Sequence, residues 1–158
     1  MNVWFTSDCH LDHENILKYC DRPFVNVKEM NELIIKNFND VVKDTDVVYF
    51  LGDFAFKNHE EHLSRLNGII VFVLGNHDSR TTLKTHIKKI ELLIKNQELL
   101  CVHNPADCEE GFRVNLVGHV HTLWKTKKTK KGNLLINVGV DQWNFKPVHY
   151  NELKRLMK

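Results

Sequence analysis

The sequence predicts an α/β fold in which polar, metal-ligating side chains collect at strand ends. Three observations carry that expectation. Residues 69–74 (Ile-Ile-Val-Phe-Val-Leu) run without a polar break between Gly68 and Gly75. This is the length and composition of a strand buried on both faces, since a buried helix would be longer. Two further apolar runs, residues 3–7 and 46–51, end in the same way, on Asp8 and on Gly52-Asp53. Between them, Met30, Leu33, Ile34, Phe38 and Val41 recur at three- and four-residue steps, one face of an amphipathic helix over residues 27–42.

Composition narrows the class. A chain of 158 residues with 42% hydrophobic and 27% charged residues suits one soluble domain with a real core. A formal charge of +2 is too small to imply nucleic-acid binding by itself. The start of the chain leads directly into a strand with no secretory signal, and no apolar run approaches membrane-spanning length. Cys9, Cys20, Cys101 and Cys108 form no Cys-x-x-Cys pair. Together these features predict a cytoplasmic protein with reduced thiols and no structural zinc cage. Ten histidines are more informative, because imidazole is the commonest metal ligand and a common acid–base group.

In chain order, the first strand ends in Asp8-Cys9-His10, where residues two apart point the same way and Asp8 and His10 can converge. His13, before a short helical pattern reaching Tyr19, can cap that helix or touch a substrate. Asp21-Arg22-Pro23-Phe24 breaks the helix, and Arg22 is either solvated or able to grip a phosphate bidentately. Residues 59–66 read as a short helix whose His59 and His62 share a face, but no matching carboxylate lies on that face in a His-Glu-x-x-His arrangement, so both read as surface histidines. After the opening run come Asn76, His77 and Asp78, then a helix over residues 79–87. Residues 90–94 and 98–103 read as paired strands joined at 95–97, the second ending on His103. Residues 115–118 form a strand delivering His119-Val120-His121, and residues 133–138 form another before Asp141. A terminal helix from residue 150, capped near Tyr150 and Asn151, completes the chain. The run Lys125-Thr126-Lys127-Lys128-Thr129-Lys130-Lys131 is either a basic rim or a solvated hairpin.

Asp8, His10, Asp53, Asn76, His77, His103, His119 and His121 therefore fall at strand ends on five segments. Each alone has an ordinary turn or cap explanation. Jointly they do not, because turns need no histidine. Carboxylates, an amide and imidazoles suffice for two metal ions with open positions, and Asp53 sits centrally enough to bridge them.

These residues resemble the calcineurin-like metallophosphoesterase superfamily. The pattern is Asp8-x-His10, Gly52-Asp53, Gly75-Asn76-His77-Asp78, His103 and Gly118-His119-Val120-His121, in the family's order. The stretches Phe5-Thr6-Ser7-Asp8-Cys9-His10 and Asp21-Arg22-Pro23-Phe24 are similar to those of small bacterial and phage phosphoesterases. The resemblance implies a four-layer αββα sandwich of two mixed sheets over residues 1–158, without a cap domain. It implies one divalent metal on Asp8, His10, Asp53 and His121, and a second on Asp53, Asn76, His103 and His119. Mn²⁺ is the leading candidate, with Fe, Zn and Ni as alternatives. His77 matches the family's non-ligand catalytic histidine; Asp78 would orient it or cap the following helix. The implied activity is phosphodiester hydrolysis by a hydroxide held between the metals, with His13, Arg22 and Asn76 as substrate contacts. A nuclease, with a nucleotide or nucleic acid as partner, is the alternative enzyme. A catalytically silent binding protein is the alternative of another class. Phe54-Ala55-Phe56 after Asp53 departs from the Asp-Arg-Gly continuation of Ser/Thr protein phosphatases, which argues against that activity.

Overall fold

Strands and helices alternate in the first half of the chain and strands dominate the second, residues 1–158 all being described by the computed structural model. The strands are β1 (Val3–Thr6), β2 (Val47–Phe50), β3 (Ile69–Phe72), β4 (Lys89–Ile94), β5 (Gln97–Val102), β6 (Val114–Val117), β7 (Thr126–Lys128), β8 (Leu134–Asn137) and β9 (Val148–His149). The helices are α1 (Ile16–Tyr19), α2 (Val27–Val41), α3 (His59–Ser64), α4 (Arg80–Leu83) and α5 (Tyr150–Leu156).

The strands form two mixed sheets, in the orders β3-β2-β1-β9 and β4-β5-β6-β8-β7. In the first, β1, β2 and β3 are parallel and β9 is antiparallel. In the second, β5, β6 and β8 are parallel and the two edges are antiparallel. The sheets share one core: Phe5, Leu51 and Val73 meet Leu99, Leu116 and Ile136. On the outer face of the first sheet, Met30, Ile34 and Ile35 of α2 cover Phe50 and Phe72. The outer face of the second sheet has a thinner cover, where Cys108, Phe112 and Trp124 from loops lie over Leu100, Val102 and Val117. Since β1, β2, β5 and β6 run parallel, their carboxyl ends open toward a common edge, where ligands sit in layered α/β folds.

Helix α2 forms where its pattern predicts. Asn26 accepts the Glu29 amide at 2.9 Å, while the Glu29 carboxylate takes the Val25 N–H at 2.6 Å. Its buried stripe is rotated from the expected one: Leu33 is exposed, whereas Asn31 and Ile35 are buried.

Four expectations need correction. The apolar run at residues 69–74 is not buried on both faces; β3 lies at a sheet edge and Ile69 is 57% exposed. Apolarity there serves the strand's last residue, Phe72, and the following Val73, which are buried. The helix expected over residues 79–87 is the single turn α4, ended by Lys84 in the left-handed region (φ 51°). Only Leu83 of that turn is buried, and the Ile87 carbonyl instead accepts the Leu74 N–H at 2.8 Å. The terminal helix is capped by His149, whose Nδ1 accepts the Asn151 N–H at 3.1 Å. His62 is not on the surface: it is buried, with Nε2 2.7 Å from Asp12.

The hairpin β4–β5 turns on Lys95 and Asn96 alone, both at positive φ (49° and 64°), a geometry that matches strand twist. The lysine run lies on and around the edge strand β7, whose residues are all exposed. Lys125 stacks on Trp143 with Nζ 3.6 Å from the ring centroid, and Lys131 pairs with Glu110.

Candidate metal centre

Five non-glycine residues at the strand ends adopt left-handed backbone: Asp8 (φ 57°), His10 (50°), Asp53 (55°), His119 (70°) and His121 (44°). Such conformations are costly for L-residues and persist where the surroundings over-determine them. Here they turn five polar side chains off their strands toward one point. Close backbone approach assists. A Cβ at Gly118 would collide with Ser7 Oγ and Asp8 Oδ2, and one at Gly75 with the Asp53 carboxylate.

Two groups of side chains result, Asp8–His10–His121 and Asp53–His103–His119, each with ligand atoms within 4.8 Å of one another. Asp53 Oδ2 lies between them, 3.4 Å from His10 Nε2 and 3.3 Å from His103 Nε2. Asn76 Oδ1 faces the second group, 2.8 Å from His103 Nε2 and 3.0 Å from His119 Nδ1.

The unused valences identify what fits. Asp8 Oδ2 accepts from Ser7 Oγ at 2.6 Å and from the His119 N–H at 2.9 Å, whereas buried Oδ1 has no partner. His10 Nε2, also buried, makes no hydrogen bond, although Asp53 Oδ2 lies 3.4 Å away. A carboxylate oxygen and imidazole lone pairs aimed at one buried point are expensive unless a cation satisfies them. An all-oxygen-and-nitrogen donor set of this kind suits a divalent metal with open positions.

Proton affinities register how closely these carboxylates and imidazoles are coupled. Burial alone would raise Asp8, but the imidazoles of His10, His103 and His121 hold it down at about 2. Burial would also lower His103, yet the Asp53 hydrogen bond and the charges of Asp8 and Asp53 push it up to about 9. For His121, burial is outweighed by Asp141, Cys20 and Asp8, which raise it to about 10. His119, more open and beside His103, is lowered by burial and by that imidazole.

Several supporting residues leave no local pattern in the sequence. Asp141 lies 3.3 Å from His121 Nδ1, and Arg22 binds Asp141 through Nε (2.9 Å) and Nη2 (3.0 Å). Arg22 also donates to the Asp8 and Cys9 carbonyls at 2.7 and 2.8 Å. The expected phosphate grip of Arg22 is therefore corrected: its guanidinium is buried and fully engaged in bracing the loop of Asp8. Leu51 O, 2.7 Å from His103 Nδ1, fixes that ring with Nε2 toward the site. Asp78 neither orients His77 nor caps α4. Its carboxylate takes the N–H groups of Asp53 (2.7 Å), Gly75 (2.8 Å) and Phe54 (3.1 Å), and Ser79 caps the helix.

His77 is exposed beside the groups, its N–H on Asp53 Oδ1 at 2.9 Å and its ring 5.5 Å from that of His10. His13 accepts the Ile16 N–H at 3.1 Å and so caps α1, while its ring faces His10 at 5.6 Å. A cleft of about 370 Å³ opens over the centre, lined by both of these histidines.

A model of the calcineurin-like phosphoesterase superfamily domain matches residues 1–150, and the chain belongs to that superfamily. It is 37% identical to an uncharacterized protein of Methanocaldococcus jannaschii, over 99% of this chain and 91% of that protein. Among solved structures, a protein of unknown function from Aquifex aeolicus matches with a TM-score of 0.78 and 26% identity, each chain 98% covered. A novel archaeal phosphodiesterase matches at a TM-score of 0.52 and 22% identity, over 90% of this chain and 87% of that one, a likeness of fold. No helix is long and apolar enough to cross a membrane.

Proposed function

We propose that the protein is a metal-dependent phosphodiesterase. The observation that carries this reading is the convergence of two ligand groups on one carboxylate, Asp53, with buried Asp8 Oδ1 and His10 Nε2 left without a hydrogen bond. Asp8, His10 and His121 would hold one divalent ion, and Asn76, His103 and His119 a second, with Asp53 common to both. Bound there, such ions would supply Lewis-acid polarisation of phosphoryl oxygens and a water acidic enough to attack at neutral pH.

The chain's own residues do the remaining work. His77, fixed by its N–H to Asp53, stands at the cleft wall outside both ligand groups and protonates the departing alkoxide. Asp53 joins the two groups and tethers His77, so ligand geometry and acid position share one carboxylate. His13 lines the reaction cleft and provides a second polar contact for substrate. Of the lysine run, Lys125 and Lys131 are engaged by Trp143 and Glu110, which leaves the exposed Lys127, Lys128 and Lys130 as its support for the nuclease alternative. Every ligand position is filled, which disfavours a catalytically silent binding protein.

The test is hydrolysis of bis(p-nitrophenyl) phosphate by metal-stripped protein with and without added Mn²⁺. Activity should appear with the metal and vanish with a strong chelator. Activity that persists when elemental analysis finds no metal would end this reading.

A further inference from the structure

The cleft over the metal centre is lined by two chemically different sets of residues. Beside histidines such as His10, His77 and His121 stand the apolar Ile16 and Tyr19 of α1 and Val120 and Leu123 of the turn after β6. Tyr19 and Leu123 are 74% and 79% exposed. Scattered exposed apolar residues need no explanation, but these two come from separate segments and wall the same small cleft. Both walls are held firmly. The Tyr19 N–H is bonded to Asn15 O at 3.0 Å and the Leu123 N–H to Val120 O at 2.9 Å. Asn137 Nδ2 ties down the His121 and Trp124 carbonyls on either side of Leu123, at 2.9 and 3.0 Å.

Charge points the same way. No lysine or arginine lines this cleft. The adjoining one, reached past His13, sets Asp12 and Glu14 against a single Lys57. Nothing there would welcome a second phosphate.

We propose that Tyr19 and Leu123 form a slot for a flat aromatic substituent on the phosphodiester, an aryl ring or a nucleobase. This inference rests on the phosphodiesterase reading and names its substrate class. Selection then acts through the substituent's ring and not through additional anionic charge, and the tyrosine face supplies the stacking surface.

Binding of two product-like monoesters, phenyl phosphate and methyl phosphate, to the Mn²⁺-loaded protein separates the possibilities by titration calorimetry. Both carry the same phosphate, so their difference reports the slot. Phenyl phosphate should bind about tenfold more tightly, the scale of one aromatic stack. Tyr19→Ala should reduce the preference below about threefold, and Tyr19→Phe should preserve it. Because Tyr19 is mostly exposed, both variants should melt at the wild-type temperature, which a thermal scan checks. Equal binding of the two esters to wild type overturns the slot and leaves the phosphodiesterase reading standing. A preference that survives both Tyr19→Ala and Leu123→Ala overturns it as well. If neither ester binds and no phosphodiester is cleaved, the underlying reading fails and takes the slot with it.

Discussion

The two ligand groups use similar side chains but rest on different foundations. Asp8 and His10 are buried, and His121 is backed by Asp141, itself gripped by Arg22 from the far side of the loop. The second group is supported mainly by main chain. His103, as buried as His10, leans on a carbonyl, while Asn76 is exposed and His119, like His121, half-buried. A ligand buried with its own hydrogen-bonded partner holds geometry at little further entropic cost; an exposed one must be ordered when it binds. On the proposed reading the first group has the more extensive side-chain bracing, and Asp53 alone would serve both.

The largest effect should come from removing that shared residue. Asp53→Asn deletes the charge between the groups and should erase their difference, lowering metal content at both and turnover by roughly 10³-fold or more. Elemental analysis beside steady-state kinetics checks this. Retention of a full metal complement in Asp53→Asn would mean that the groups are independent.

His77→Ala tests the opposite expectation, that a residue outside both groups affects chemistry alone. Metal content should stay near wild type, while turnover on alkyl diesters falls by roughly 10²–10⁴-fold, the usual worth of a positioned acid. A nitrophenolate departs without a proton, so the loss on an activated diester should be distinctly smaller. Loss of metal, or equal losses on both ester types, would reassign His77.

The contrast between the groups also marks what the sequence could reveal. Asp8, His10, Asp53, His103, His119 and His121 stand out because each interrupts an apolar run at a strand end, a local signal. Their supports do not. Arg22 and Asp141 are 119 residues apart, and nothing near Arg22 distinguishes a buried brace from a solvated loop arginine. Asp141 carried a faint signal, since it too follows a strand. His62 misled because its partner Asp12 lies 50 residues away, on a loop and not on its own helix. The edge position of β3 was hidden for the same reason: periodicity reports how apolar a strand is, and only pairing reports which neighbours it has.

Asp141→Asn should sharpen the asymmetry. The amide keeps the shape but loses the charge that holds His121 and pairs with Arg22. Metal affinity of the first group should fall by roughly 10–100-fold, as for loss of other supporting carboxylates. The second group should be unaffected, so competition with a chelator should turn one uniform release into two steps. Equal weakening of both groups would show that Asp141 supports the whole edge and not one side of it.

The smallest expected effect is a pH dependence of the metal-stripped protein, and its sign follows from the two histidines at the heart of each group. Burial alone would depress both, but Asp53 and Asp8 raise His103 to about 9, while Asp141, Cys20 and Asp8 raise His121 to about 10. In the unfolded chain both titrate near about 6.5. A folded value above the unfolded one means that the native state holds protons more tightly. The stabilisation is therefore complete below about pH 6.5 and is lost as pH rises through 9 and then 10. Stripped protein should lose stability steadily across that window, in denaturant titrations at fixed ionic strength. Added Mn²⁺ competes with those protons, so loading should release them and flatten the profile. Asp141→Asn should remove the His121 part of the slope and leave the His103 part. A stripped protein equally stable at pH 6 and pH 10 would mean that these imidazoles are not held by the carboxylates around them.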